Sequence, residues 1–137
     1  MSDLYKTIAK PSEGIYKEKG SKFLGFAFPI QREEEIKAHI ADLKAAHHHS
    51  RYFCYAFFLK PDYSLYRSSD DGEPSGTAGA PILGQLKSKG LTNTLVVVAR
   101  YFGGTKLGVS GLINAYRSAA QEALNAAKIL EKTVNHH

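Results

Sequence analysis

The chain has 137 residues, 43% of them apolar and 23% charged, the size and balance of one globular domain that can bury its own core. No apolar run reaches the ~20 residues needed to cross a bilayer, the first ten residues hold no apolar signal core, and the only cysteine, Cys54, excludes an internal disulfide and fits a reducing, cytoplasmic setting. The formal charge of +5 lies in the last third, since residues 1–85 carry 11 Lys/Arg against 11 Asp/Glu and residues 86–137 carry 7 against 2; such a face either attracts a phosphate-rich or acidic partner or serves as a solvated surface.

Taken in chain order, residues 14–19 and 22–30 predict two strands joined through Gly20-Ser21, with Pro29 at a strand end where its missing N–H is tolerated. Ile36, Ile40 and Leu43 recur at helical spacing, and Glu33, Glu34 and Glu35 favour the positive end of a helix over 32–46. A strand over 51–60 is apolar on both faces, which places it centrally or leaves half of it for a partner. After a Pro61-Asp62 turn comes a shorter strand at 63–68. A helix starting at Thr77 or Gly79 runs to about Lys89; it holds Pro81 in its first turn and ends at Gly90. Residues 93–101, with Leu95-Val96-Val97-Val98-Ala99, predict a buried strand. In the last helix, about 111–130, Leu112, Tyr116, Ala119, Ala120, Ala123 and Ala127 make one narrow stripe suited to close packing on a sheet. The order β-β-α-β-β-α-β-α predicts an α+β domain, one mixed β-sheet with helices packed on it.

Two loops have the composition of a site. Asp70-Asp71-Gly72-Glu73-Pro74-Ser75-Gly76-Thr77-Ala78-Gly79 gathers three carboxylates before a helix. These groups suit cation binding, pairing with Arg67 or Lys87, or acid–base work. The same residues also suit a tight turn in which Thr77 accepts a backbone N–H and caps the helix. The second loop, Arg100 to Gly111, leaves the buried strand and feeds the last helix, an arrangement that offers backbone N–H groups and a positive dipole to an anion. Arg100, Lys106 and Arg117 add charge to it, and a turn that needs glycine for backbone reasons is the competing reading. Its Gly-Gly-x-x-x-Gly-x-x-Gly spacing meets neither nucleotide-binding pattern, and no cofactor or metal motif is present. His47-His48-His49 fits a helix C-terminus better than a metal site. Cys54 reads as a buried small group. Gly108-Val109-Ser110-Gly111 is no hydrolase elbow.

The two loops, read as Asp70 to Leu83 followed by Val96 to Gly108, resemble the paired signature of the Impact/YigZ family, and the resemblance spans about Tyr16 to Ala127. It implies the fold of the second domain of the bacterial ribosomal small-subunit protein number five, which elongation factor G and the GHMP kinases share. It also implies a role in translation, because eukaryotic members are associated with control of the amino-acid-starvation kinase through its ribosome-bound activator. By position, the signature residues here are Asp70, Asp71, Glu73, Thr77, Arg100, Tyr101, Gly103, Gly104, Lys106 and Gly108; the resemblance assigns none of them a catalytic role. Two departures accompany it. Tyr52 and Phe53 stand where members often carry histidine. Bacterial members continue into a second, ferredoxin-like domain, so residues 1–132 are expected to form the Impact N-terminal-type domain and 133–137 a tail where the second would begin, with His136-His137 readable as a tag remnant.

Three functions follow as expectations. The first is a translation-linked regulatory domain contacting RNA, the ribosome or a translation factor through an accessible Arg100–Lys106 loop, with Tyr101, Gly103, Gly104, Gly108 and Arg117 around it. The second is a small enzyme acting on a phosphorylated or anionic substrate, which requires the Asp70–Glu73 loop to lie beside Arg100. The third is a protein-binding domain using an exposed aromatic sheet face of Tyr52, Phe53, Tyr55 and Phe57.

Overall fold

A computed structural model describes residues 4–134. The elements run β1 (Leu4–Ile8), β2 (Ser12–Glu18), β3 (Ser21–Pro29), α1 (Glu34–Ala46), β4 (Tyr52–Leu59), β5 (Leu65–Ser69), α2 (Gly79–Ser88), β6 (Thr94–Tyr101), α3 (Gly108–Asn125) and β7 (Ile129–Thr133). The α+β class and the eight elements expected from the sequence are present. Five strands form a sheet in the order β2-β3-β6-β4-β5, and β1 pairs with β7 in a separate two-stranded sheet.

The sheet is antiparallel at each of its four pairings rather than mixed. The cause is the position of β6. Strands β3 and β4 are connected by α1 and run parallel to each other, but β6 lies between them and is antiparallel to both. Every residue from Thr94 to Arg100 is buried, so this strand is the one that gains most from a central place with both faces covered.

Side chains alternate across the sheet. Phe23, Ala27, Cys54, Ala56, Phe58, Val96 and Val98 face α2 and α3, while Phe26, Phe53, Phe57, Leu95, Val97 and Ala99 face Ile36 and Leu43 of α1. The aromatic face proposed for protein binding is therefore largely core: Phe53 and Phe57 are buried beneath α1. Helix α3 approaches β3 so closely that a Cβ added to Gly25 would lie 2.4 Å from the carbonyl oxygen of Ala119, which explains the alanine stripe on the facing helix.

Two differences from the predicted elements share one origin. The last helix, which starts at Gly108, ends at Asn125 rather than near 130 because Ile129–Thr133 is drawn into antiparallel pairing with Leu4–Ile8, a contact between chain ends that no local pattern encodes. Strand β7 includes Thr133, one residue past the expected domain end; residues 135–137, with the histidine pair, lie outside the described residues.

Candidate functional site: a cationic cleft between two loops

The carboxylate loop is held together by its own acids. Asp70 accepts backbone N–H bonds from Gly76 (2.9 Å), Ala78 (3.1 Å) and Gly79 (2.8 Å), so it, and not Thr77, satisfies the first turn of α2. The Thr77 hydroxyl donates instead to the carbonyl of Pro74 at 2.6 Å. Burial alone would raise the Asp70 carboxyl, but the three N–H donors outweigh it and hold the group below its ordinary value. Its stabilising effect is then fully present above the ordinary carboxylate range and is lost as pH falls through the lowered value. Replacing Asp70 with alanine is expected to cost about 1–2 kcal/mol at neutral pH and to flatten the acid limb of a stability-versus-pH curve; an unchanged acid limb contradicts the assignment. Asp71 accepts the N–H of Phe53 at 2.8 Å and ties the loop to β4.

Glu73 turns inward to meet Arg100. The Arg100 Nη1 lies 2.7 Å from Glu73 Oε2, with both side chains 4% exposed or less. The Tyr116 hydroxyl of α3 donates to the same oxygen at 2.5 Å, and burial together with this carboxylate pushes the phenol far above its ordinary range. In the sheet register Arg100 stands between Phe23 and Tyr52, and its guanidinium carbon lies 5.4 Å, 5.9 Å and 5.1 Å from the ring centres of Phe23, Tyr52 and Phe102. This corrects the expectation that Arg100 sits on an accessible face: it is a buried cation joining the two loops, and a buried charge persists only with such a partner.

The second loop then crosses the rim. Gly103 packs on the β2–β3 turn, where an added Cβ would lie 2.2 Å from the carbonyl carbon of Gly20, and its N–H donates to Ser21 Oγ at 3.0 Å. Gly104 and Gly108 are exposed with φ of +84° and +75°. Tyr101 points to the opposite face, with its hydroxyl oxygen 2.8 Å from His47 Nδ1; the His48 and His49 rings lie 4.1 Å apart, tilted at 46°. Arg117 is exposed, bonds Asn114 at 2.8 Å and lies outside the cleft. Cys54 is buried, its thiol raised by that burial and bonded to the Asp70 carbonyl at 3.2 Å.

Between the loops lies a cleft of about 440 Å³. Glu73 and Arg100 form its floor, and Arg51, Phe102, Lys106 and Val109 stand on its exposed rim. Neither Arg51 nor Lys106 has a carboxylate within ion-pairing distance among the described residues. The first turn of α3, with Gly108 and Val109 in the cleft wall, has no side-chain cap, which leaves orphan N–H groups at its positive end. Because the floor pair is internally neutral, the cleft carries the net charge of Arg51 and Lys106. Arg51 is not among the residues expected at the site: it precedes β4 by one residue and gains its place because β4 pairs with β6 opposite Arg100.

The α+β domain thus spends the acids of its first loop on internal bonds and presents two exposed cations beside an uncapped helix end. The chain belongs to the Impact family: the Impact N-terminal domain model matches residues 19–124. It is 37% identical to IMPACT family member YvyE of Bacillus subtilis over 93% of this chain, and 37% identical to IMPACT family member YigZ of Escherichia coli over 91%. The chain spans 59% and 62% of those two relatives' lengths. A crystal structure described as that of a hypothetical protein superimposes with a TM-score of 0.92 at 33% identity, covering 97% of this chain and 66% of that one. The two-domain translational regulator Yih1 matches with a TM-score of 0.50 at 26% identity, over 89% of this chain and 47% of that one. No helix among the described residues is long and apolar enough to cross a membrane.

Proposed function

We propose that this domain is a translation-linked binding module whose cleft receives phosphate groups of RNA, free or within the ribosome. The observation that carries the reading is the pair of exposed cations, Arg51 and Lys106, flanking the uncapped first turn of α3. Paired cations and helix-end N–H groups are the standard protein complement to phosphate. The likeness to a translational regulator supports the setting.

The enzyme reading gains from one fact: the Asp70–Glu73 loop does meet Arg100 at a cleft. It loses on another. Asp70 is occupied by three backbone donors, Asp71 by Phe53, and Glu73 by Arg100 and Tyr116, so the carboxylates a general acid or base would come from are committed to holding the fold.

Titration against structured RNA and against ribosomes at two salt concentrations tests the proposal. Two phosphate contacts give a slope of log K against log salt of about −1.4 to −1.8. Salt-independent binding, or none, overturns it, and salt-independent capture of a translation factor alone replaces RNA with a protein partner.

A further inference from the structure

We infer that the cleft takes one unpaired nucleotide of an RNA strand, its base stacked on Phe102 and its phosphate held by Lys106 and the first turn of α3. This rests on the RNA reading above and narrows it to a substrate class.

The cleft is more apolar than a phosphate site needs. Tyr52, Pro74, Phe102, Leu107, Val109 and Leu112 line it. Phe102 and Val109 are 44% and 61% exposed, large apolar groups kept in solvent at the mouth of a charged site. A phosphate alone gains nothing from them, whereas a nucleoside phosphate matches both halves, with an aromatic face for the ring and cations for the anion. A volume of about 440 Å³ lies within the range of small-ligand sites.

Phe102 is also pre-set for stacking. Arg100, buried and fixed by Glu73, braces the ring with its guanidinium carbon 5.1 Å from the ring centre, so ordering the ring costs little on binding. The Arg100 Nε is left without a hydrogen-bond partner among the described residues. Arg51 lies 5.8 Å from the centre of the same ring and is exposed. An incoming base takes its place over the ring, and the released guanidinium turns to a phosphate. A duplex offers the same phosphates but keeps its bases stacked inside, out of reach of Phe102.

The test compares an unstructured oligouridylate of about eight nucleotides with a duplex of equal length and with uridine monophosphate as competitor, using the wild-type chain and Phe102→Ala and Phe102→Tyr. The strand is expected to bind at least roughly tenfold more tightly than the duplex. Phe102→Ala is expected to lose about tenfold on the strand alone, and Phe102→Tyr to retain binding. Equal affinity for strand and duplex, with Phe102→Ala changing neither, overturns the inference and leaves the RNA reading standing. Monophosphate binding as tightly as the strand overturns the strand assignment in favour of a free nucleotide. Absence of binding to either RNA form removes both readings.

Discussion

Replacing Glu73 with alanine is expected to destabilise the domain by about 3–5 kcal/mol. The change leaves the Arg100 guanidinium in a site 4% exposed with no counter-charge, and it strips the Tyr116 hydroxyl of its acceptor. The two losses act on elements distant in sequence, because Glu73 joins the loop before α2, the end of β6 and the middle of α3 at one oxygen. The denaturant midpoint reads the effect at constant slope. A second variant separates charge from packing. Pairing Glu73→Gln with Arg100→Met removes the unbalanced charge while keeping volume, and it is expected to recover most of the loss. If Glu73→Ala costs less than about 1 kcal/mol, the buried pair is not the joint described here.

Reversing the two rim cations together, Arg51→Glu with Lys106→Glu, is expected to weaken RNA binding roughly a hundredfold at low salt, since each charge-assisted contact contributes about 1.5–3 kcal/mol and each tenfold change corresponds to about 1.4 kcal/mol. Both side chains are exposed, so stability should change by less than about 0.5 kcal/mol. The control reverses Lys6 and Lys10, which are exposed but line no part of the cleft; general electrostatic attraction predicts equal losses from the two double variants, and a site predicts unequal ones. The salt dependence of binding should flatten in the cleft variant alone.

The architecture was legible because its signals are local. The β-branched run at Val96-Val97-Val98, the spacing of Ile36, Ile40 and Leu43, and the alanine stripe of α3 each report a burial pattern that the structure reproduces. What escaped depends on pairing between distant segments. Leu4–Ile8 and Ile129–Thr133 carry weak strand patterns and pair with each other from opposite ends of the chain. The central insertion of β6 between β3 and β4 is likewise a choice among topologies that the run of elements leaves open.

The site was half legible for the same reason. Gly108 and Lys106 lie where a loop feeding a helix places them, and that much is local. Arg100 follows a run of buried residues on a central strand, and its alternation with Val96 and Val98 puts it on the α2–α3 side, which argues for burial; its Glu73 partner lies 27 residues away. Arg51 reaches the rim through the β4–β6 register, and Arg117 misses it because it lies about two and a half turns along α3 from Gly108. Charge counting locates basic residues, but only the sheet register tells which of them share a surface.

Backbone amide shifts during titration with single-stranded RNA test the use of this cleft most directly. The perturbed amides are expected to cluster at Arg51, Tyr52, Ser75 and the stretch from Phe102 to Gly111, saturating together. Shifts centred instead on Lys128 and Lys132, or spread evenly over the basic surface with the 102–111 stretch unmoved, would contradict it.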